Sequence, residues 1–236
     1  MIVVTGGAGF IGSNLVAALA DRGTPPVVCD VLGTDEKWRN LAKHEIANIV
    51  APHNLRSYLD AHPAVAIVHL GANSSTTERD ADLIIDQNFG CSLNLWEWCA
   101  EHDARFIYAS SAATYGDGTS GFADDDSISG LATLHPLNLY GWTKHLFDRR
   151  VAREVASGAA LPRQWAGLKF FNVFGPNEFH KGRMRSVALQ VFEQLEGGKT
   201  IKLFKSHRPD IEDGGQRRDF IYVRDCVDVI LWLLDS

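Results

Sequence analysis

The apolar residues of this chain fall into short β-branched runs that alternate with stretches of helical spacing. The first run, residues 1–5, ends at a cluster of glycines, after which Leu15, Val16 and Leu19 follow at helical spacing. This order predicts a strand, a tight glycine turn and a helix. The same reasoning predicts strands at 27–30, 65–70, 105–109 and 165–171, helices at 88–99 and from 139 to about 158, and a solvated loop at 116–137.

Strands that alternate with helices predict an α/β fold, a doubly wound parallel sheet with helices on both faces. We assign residues 1–172 to this sheet domain. Beyond it the pattern loosens, and it predicts a helix at 184–195, short strands at 201–204 and 220–223, and a last helix from 225. We interpret residues 173–236 as part of a smaller second domain. Because no glycine caps the last helix, we expect the natural chain to be longer.

Composition narrows the class of protein further. The 236 residues are 45% hydrophobic and 22% charged, which excludes a disordered chain. The chain has neither an apolar run of roughly 18 residues nor a signal peptide, so we expect a soluble cytoplasmic protein without a membrane partner. The four cysteines lack metal-ligand spacing, and we expect no metal. A net charge of −6 argues against a nucleic-acid partner and leaves room for a small anionic substrate.

The glycine cluster has the form of a dinucleotide-binding turn. Gly6, Gly7, Gly9 and Gly12 directly follow the first strand and open the first helix, whose free N–H groups suit a pyrophosphate. The predicted sheet is therefore of the Rossmann type. Asp30 ends the second strand, where a carboxylate bonds the adenosine ribose and favours NAD.

Lys37 gives the opposite indication about the cofactor. It lies seven residues after Asp30, where an ammonium group could meet the 2′-phosphate of NADP. On spacing alone, a solvated loop lysine explains it equally well.

A second motif suggests hydride-transfer chemistry. Tyr140 and Lys144 lie four residues apart on a predicted helix, so they share one face and the ammonium could lower the pKa of the phenol. A tyrosine activated in this way serves as base toward an alcohol and as acid toward a ketone. Ser111, at the end of the preceding strand, could hold the same substrate oxygen. Core packing of Tyr140 is the alternative.

These motifs resemble the extended short-chain dehydrogenase/reductases that act on nucleotide sugars. Within that group the chain is most similar to the ADP-glyceromanno-heptose 6-epimerase family. The resembling segments are TGGAGFIGSN (5–14), SSTTE (74–78), YASSAATYG (108–116), PLNLYG (136–141), FNVFGP (171–176), HKG (180–182) and RDFIYV (218–223). The similarity runs through nearly the whole chain, and 74–78 and 180–182 are its more specific parts.

The resemblance implies a cytoplasmic homo-oligomer that epimerises a nucleotide sugar with bound NADP, NAD being the other nucleotide to consider. Hydride leaves C6 of the heptose of ADP-D-glycero-D-manno-heptose and returns to the opposite face, in the pathway to the lipopolysaccharide core. Tyr140 and Lys181 would serve the two faces, with Ser111 and Lys144 as the other catalytic residues. Residues 173–236 would contribute to the substrate-binding domain.

The resemblance also implies two sets of binding residues. The cofactor set is Gly6, Gly9, Phe10, Ile11, Gly12, Asp30, Val31, Lys37, Leu70, Gly71, Ala72, Asn73, Ser74, Asn88, Lys144, Val173 and Lys181. The substrate set is Ser111, Asn172, Arg183, Gln190, Phe204, Lys205, Ser206 and Arg218.

The chain departs from the family at Arg183 and Gln190, where members carry Ser and His, and its segment 207–216 is longer. Arginines at 183, 185, 217 and 218 fit a diphosphate partner, or they are simply exposed.

Three other functions remain open. A 4,6-dehydratase needs an extra acid and base after the serine, where this chain has Ala112 and Ala113. A UDP-sugar 4-epimerase needs only Ser111, Tyr140 and Lys144, and would leave Lys181 without a role. A dinucleotide-binding regulator without catalysis would not need the intact Ser, Tyr and Lys set.

Overall fold

Six parallel strands form the central sheet of the protein. The computed structural model describes residues 1–76, 78–207 and 209–236, with only the backbone at Arg183. The strands are β1 Ile2–Thr5, β2 Val27–Cys29, β3 Asn48–Val50, β4 Ala66–His69, β5 Arg105–Ser111 and β6 Gln164–Phe170. They lie in the order β3-β2-β1-β4-β5-β6, and every neighbouring pair is parallel. This is the Rossmann strand order, whose reversal between β1 and β4 opens a ligand crevice.

Helices cover both faces of this sheet. They are α1 Phe10–Asp21, α2 Leu55–Ala61, α3 Ala81–Ile84, α4 Cys91–Glu101, α5 Ile128–Ala132, α6 Leu139–Ser157, α7 Val187–Glu196 and α8 Val223–Asp235. A π-helical turn, Ile85–Gly90, joins α3 to α4, and 3₁₀ turns occupy Lys37–Asn40, Pro52–Asn54, Ala112–Tyr115 and Phe179–Met184. Among the described helices, none is long and apolar enough to cross a membrane.

The core has two layers because successive residues of a buried strand point to opposite faces. Val3 of β1 belongs to the layer that contains Trp96 and Phe147. Its neighbour Val4 belongs to the other layer, with Leu15 of α1. The sheet is therefore buried on both sides, as expected for parallel strands.

A small second sheet follows the first. It consists of β7 Asn172–Phe174 and β8 Phe220–Tyr222, which pair in parallel. Although α8 comes after the predicted boundary at residue 172, Val227, Ile230 and Leu231 of this helix share a hydrophobic cluster with α1. The last helix thus packs against the first sheet domain.

Most predicted elements are confirmed, and the fold class with them. The strand predicted at 201–204 is wrong: these residues form no strand, and Leu203 and Phe204 are 64% and 61% exposed. Its apolar residues do not pack into a core, which is what a strand prediction from hydrophobicity assumes. Two short strands, β3 and β7, and three short helices, α2, α3 and, inside the predicted loop 116–137, α5, were not predicted. Asn48 and Ile49 of β3 are exposed, so this edge strand lacks a buried-strand pattern.

The glycine-rich turn between β1 and α1 is tightly packed on itself. Gly6 has a positive φ of 66°, which favours glycine. A Cβ atom at Gly12 would overlap the carbonyl oxygen of Gly6. The backbone at the start of α1 therefore packs directly against the backbone of the turn, with no room for a side chain at Gly12.

We expect Gly12→Ala to lower the free energy of unfolding by about 1–3 kcal/mol, because the added methyl group overpacks the turn. Gly90→Ala is the matched control: a Cβ atom there would meet its nearest neighbour at an ordinary 3.7 Å. Urea denaturation of both variants measures the difference. Equal stability of Gly12→Ala and wild type would contradict the close approach.

Candidate active site

Much of the predicted cofactor set lies at the carboxyl ends of the central strands. The ends of β1 and β4 approach so closely that a Cβ atom at Gly6 would lie 2.7 Å from the Cα atom of Gly71. Residues 70–74 follow β4 at this point, next to the glycine-rich turn. The crevice between β1 and β4 is where dinucleotides bind in this fold.

Asp30 and Lys37 form an ion pair beside the glycine-rich turn. Asp30 Oδ2 accepts a hydrogen bond from the backbone N–H of Ala8 at 2.8 Å. Lys37 Nζ lies 2.9 Å from Asp30 Oδ1, and both side chains are largely buried. The neighbouring Val31 is 64% exposed. Both residues that the sequence offered for the ribose end of a cofactor are therefore in one place and in direct contact.

A buried histidine that the sequence analysis did not select joins the two crevice strands. His69, at the end of β4, is 1% exposed. Its Nδ1 lies 2.7 Å from Thr5 Oγ1, and its Nε2 lies 2.9 Å from Ser92 Oγ. The Ser92 hydroxyl donates to the Asn88 carbonyl, and Thr5 Oγ1 accepts from the N–H of Gly71. These directions require that Nε2 carries the proton and that Nδ1 accepts from Thr5.

The hydrogen-bond chain continues to the helix that carries the predicted catalytic pair. Asn88 Oδ1 accepts from the N–H of Asn73, and Asn88 Nδ2 donates to Thr143 Oγ1 at 3.1 Å. The Thr143 hydroxyl donates in turn to the carbonyl of Tyr140. The residues after β4 and the first turn of α6 are thus linked through buried side chains.

His69 stays neutral in this environment. Burial lowers its pKa to about 3, and the nearby charge of Lys144 adds to the effect. A neutral imidazole with a fixed tautomer orients its neighbours rather than exchanging protons at ordinary pH.

Ser111 and Tyr140 come together as the sequence predicts, and Lys144 follows Tyr140 one turn later on α6. Ser111 ends β5 and hydrogen-bonds Tyr140 of α6. The predicted lowering of the Tyr140 pKa is wrong for this structure: burial raises the pKa of Tyr140, Asp148 also raises it, and the bond with Ser111 opposes both. Burial is also the main effect on Lys144, whose pKa it lowers to about 8 against the charge of Asp148.

Asp148 continues the stripe of Tyr140 and Lys144 along α6. Its carboxylate accepts hydrogen bonds from the hydroxyls of Tyr108 and Ser110 and pairs with Lys169 at 3.0 Å. Because these groups are nearly buried, the carboxylate acts through a medium that screens charge weakly. It thereby keeps the pKa of Lys144 from falling further.

Lys181 approaches the glycine-rich turn from a different part of the chain. It lies in the 3₁₀ turn Phe179–Met184, and its Nζ is 5.2 Å from the centre of the Phe10 ring. Burial lowers the pKa of Lys181, and the charge of Glu178 opposes this. The adjacent His180 Nδ1 is 3.4 Å from Asn40 Nδ2, whose amide also donates to the carbonyl of Ala8.

The predicted substrate residues are less concentrated. Asn172 is exposed and donates to the carbonyl of Asp219, while Gln190 donates to that of Arg185. Phe204 and Lys205 are exposed in a segment without regular structure that also contains Ser206. The exposed Arg218 lines an open cavity of about 640 Å³ within residues 210–218. The side chain of Arg183, and Thr77 in the motif 74–78, lie outside the described residues.

Sequence reasoning missed the residues that support the catalytic set: Thr5, His69, Ser92, Thr143, Asp148 and Glu178. Asp148 carried the clearest sequence signal of a supporting role, since it continues the i, i+4 spacing of Tyr140 and Lys144. A histidine at the end of an apolar strand, like His69, was a weaker sign. Within the described residues, no cluster of His, Cys, Asp or Glu could hold a metal ion.

Comparisons with known proteins give this site a context. Residues 2–236 match the model of the NAD dependent epimerase/dehydratase family. The chain belongs to this family. An ADP-L-glycero-D-manno-heptose-6-epimerase from Nitratidesulfovibrio vulgaris is 48% identical over 244 residues, a match that covers 100% of this chain and 72% of the relative.

Two solved structures of epimerases are also similar to this chain. The ADP-L-glycero-D-manno-heptose-6-epimerase of Helicobacter pylori superimposes with a TM-score of 0.81 at 29% identity, covering 100% of this chain and 73% of that one. The UDP-glucose 4-epimerase of Thermus thermophilus in complex with NAD gives a TM-score of 0.74 at 26% identity, with coverage of 100% and 74%.

The hydrogen-bond chain predicts a specific pH dependence of stability. A folded pKa of about 3 against the ordinary 6.5 means that the unfolded state binds the proton first. The stabilisation of the folded state by neutral His69 is therefore full above pH 6.5 and is lost as the pH falls toward 3. We expect the advantage of wild type over His69→Gln in free energy of unfolding to shrink over this range, by up to about 1.4 kcal/mol per pH unit.

Urea denaturation at several pH values measures this advantage. The exposed His53 provides the control, because His53→Gln should follow wild type at every pH. A constant gap between wild type and His69→Gln from pH 7 to 4 would show that His69 is not held neutral.

Proposed function

We propose that this protein is an isomerase that converts ADP-D-glycero-D-manno-heptose to ADP-L-glycero-D-manno-heptose. The observation that supports the proposal is that two ionisable side chains lie on separate parts of the chain, Tyr140 on α6 in contact with Ser111 and Lys181 beside Phe10 of the glycine-rich turn. Relatives named for this reaction that are 44–48% identical over essentially the whole chain support it.

The cofactor crevice fits a nicotinamide dinucleotide. A side chain at Gly12 would overlap the turn, so bare backbone and the start of α1 face the place where a pyrophosphate binds in this fold. Asn73 and Asn88 hold the loop after β4, and Val173 belongs to the same hydrophobic cluster as Phe10 of α1. The bound nicotinamide supplies reversible hydride transfer.

The chain's own residues then handle protons and orientation. Tyr140 exchanges the hydroxyl proton of the reacting carbon on one face, and Ser111 holds the same oxygen. Lys144 provides charge beside Tyr140, balanced by Asp148. When the heptose presents the other face of its C6 ketone, Lys181 exchanges the proton there, which burial favours by lowering its pKa. The substrate set, from Asn172 to Arg218, would hold the ADP-sugar.

NADP is the cofactor that the ribose end supports. A lone Asp30 would repel a 2′-phosphate, but Lys37 lies 2.9 Å from its carboxylate and offsets that charge. Ammonium groups form strong bonds to phosphate oxygens. The name of the family and the Thermus thermophilus structure both mention NAD rather than NADP. The preference of this protein for one of the two nucleotides can be measured.

A UDP-sugar 4-epimerase is the second candidate. It is supported by the likeness to the Thermus thermophilus enzyme and by Ser111, Tyr140 and Lys144, which that reaction would share. A 4-epimerase reaction would leave Lys181 without a chemical role. The self-association expected from the family resemblance stays a prediction, as does a cytoplasmic location, and light scattering of the purified protein measures the first.

We expect purified protein to epimerise ADP-D-glycero-D-manno-heptose and to leave UDP-galactose unchanged. Tyr140→Phe and Lys181→Met should each lower kcat by roughly 10²- to 10⁴-fold, because each removes a proton-transfer group. Ser111→Ala should lower kcat while cofactor affinity is nearly unchanged. Chromatographic separation of the epimers gives the rates.

Lys199→Met is the control for removing a lysine, since Lys199 is exposed at the end of α7. Wild-type turnover by Lys181→Met, together with activity on UDP-galactose, would replace this proposal with the 4-epimerase.

We expect NADP to co-purify with the protein. Lys37→Met should shift the preference toward NAD by about 10- to 100-fold, the value of a charge-assisted hydrogen bond. Lys43→Met, an exposed lysine in the same region, should leave it unchanged. Mass spectrometry of the denatured protein and titration with both nucleotides measure the preference. Recovery of NAD alone from wild type would rule out the phosphate preference.

A further inference from the structure

Glu178 is a buried carboxylate with an unusual number of hydrogen bonds. It is 1% exposed, whereas ionisable side chains of this kind are almost never fully buried without partners. Its Oε1 accepts from the N–H of Gly175 at 2.9 Å and from the Ser186 hydroxyl at 2.9 Å. Its Oε2 accepts from the N–H of Ser186 at 2.6 Å. Three donors thus compensate for the loss of water.

These bonds join the two ends of one segment. Gly175 directly follows β7, and Ser186 directly precedes α7, so the carboxylate closes the connection between them. Gly175 adopts a φ of 145°, and a Cβ atom there would lie 2.6 Å from a methyl group of Val223. The carbonyl of Glu178 also accepts the N–H of Lys181 at 3.0 Å, which starts the 3₁₀ turn.

The closed segment is docked on the start of α1. The side-chain amide of Asn14 donates to the carbonyl of Pro176, and that of Asn177 donates to Ser13 Oγ, both at 3.0 Å. On the same side, Lys181 lies over the ring of Phe10. The position of Lys181 relative to the glycine-rich turn therefore depends on the shape of this segment.

We propose that Glu178 is a positioning residue for Lys181: its buried carboxylate holds the segment 175–186 closed and so keeps the lysine amine at the glycine-rich turn. The inference rests on the proposed function, in which Lys181 exchanges a proton with the substrate. Glu178 itself is out of reach of a substrate, because it is 1% exposed and its oxygens accept hydrogen bonds within the segment.

Glu178 also acts on Lys181 through its charge. Burial lowers the pKa of Lys181, and the negative carboxylate opposes that change. A second titratable group, His180, lies beside the lysine; burial is the main cause of its lowered pKa, while Asp35 raises it and Lys37 lowers it. Neutralising Glu178 should therefore lower the pKa of Lys181, an effect that loss of packing alone would not produce.

The test compares Glu178→Gln, which keeps the size of the side chain, removes its charge and replaces one accepting oxygen with an N–H donor, with Glu193→Gln. Glu193 is an exposed residue that pairs with Arg185 of the same segment. Competitive acetylation across a pH series, read at Lys181 by mass spectrometry, gives the titration of its amine in the protein as purified. We expect Glu178→Gln to titrate at lower pH than wild type and to lose on the order of 10²-fold in kcat, with KM little changed. Glu193→Gln should match wild type in both.

Ser186→Ala carries the test if Glu178→Gln does not fold. It removes one donor to the carboxylate and keeps the charge, so kcat should fall while the Lys181 titration stays at the wild-type pH. An unchanged titration in Glu178→Gln, or an unchanged kcat in either variant, overturns the positioning role. If no variant and no wild type acts on ADP-heptose, the proposed function fails, whereas the acetylation profile still reports the coupling of Glu178 to Lys181.

Discussion

Thr5 and His69, at the ends of the two crevice strands, are buried, so the polar groups of these side chains find their partners within the protein. His69 meets this requirement for both crevice strands at once. One ring nitrogen accepts from Thr5 on β1, and the other donates to Ser92 on α4. The two hydrogen bonds of the His69 ring therefore connect β1, β4 and α4 through a single side chain. The close approach of Gly6 to Gly71 follows directly after these two strand ends.

The same requirement extends to α6, the helix that carries Tyr140 and Lys144. Asn88 passes the hydrogen-bond chain to Thr143, which is the neighbour of Lys144. A charged histidine at position 69 would place a second cation near the buried Lys144, and the pKa of His69 near 3 prevents this. Asp148 supplies a negative charge that raises the pKa of Lys144. The arrangement leaves Lys144 close to its titration at neutral pH, with a pKa of about 8.

Local spacing explains which parts of this site could be predicted from the sequence. The glycine turn, and Tyr140 with Lys144, are set by contacts within a few residues, and both were predicted. The bonds of His69 join residues 64 and 23 positions apart in the chain, and no local pattern marks such pairs. Lys181 was selected through family resemblance rather than through its spacing. The prediction of a strand at 201–204 is wrong for a related reason. An apolar run does not reveal whether a neighbouring strand is present to pair with it.

The two sides of the site are therefore fixed by different means. On one side, the sheet and α6 hold Ser111, Tyr140 and Lys144 through regular structure and a buried hydrogen-bond chain. On the other side, Lys181 lies on a connecting segment, where regular backbone bonding is scarce and position has to come from side chains. Inverting a carbon requires that both proton-exchanging groups lie within reach of one substrate oxygen, since small displacements cost much of the rate. In the proposed role, the buried carboxylate of Glu178 supplies that rigidity, because opening the segment would break its hydrogen bonds to Gly175 and Ser186.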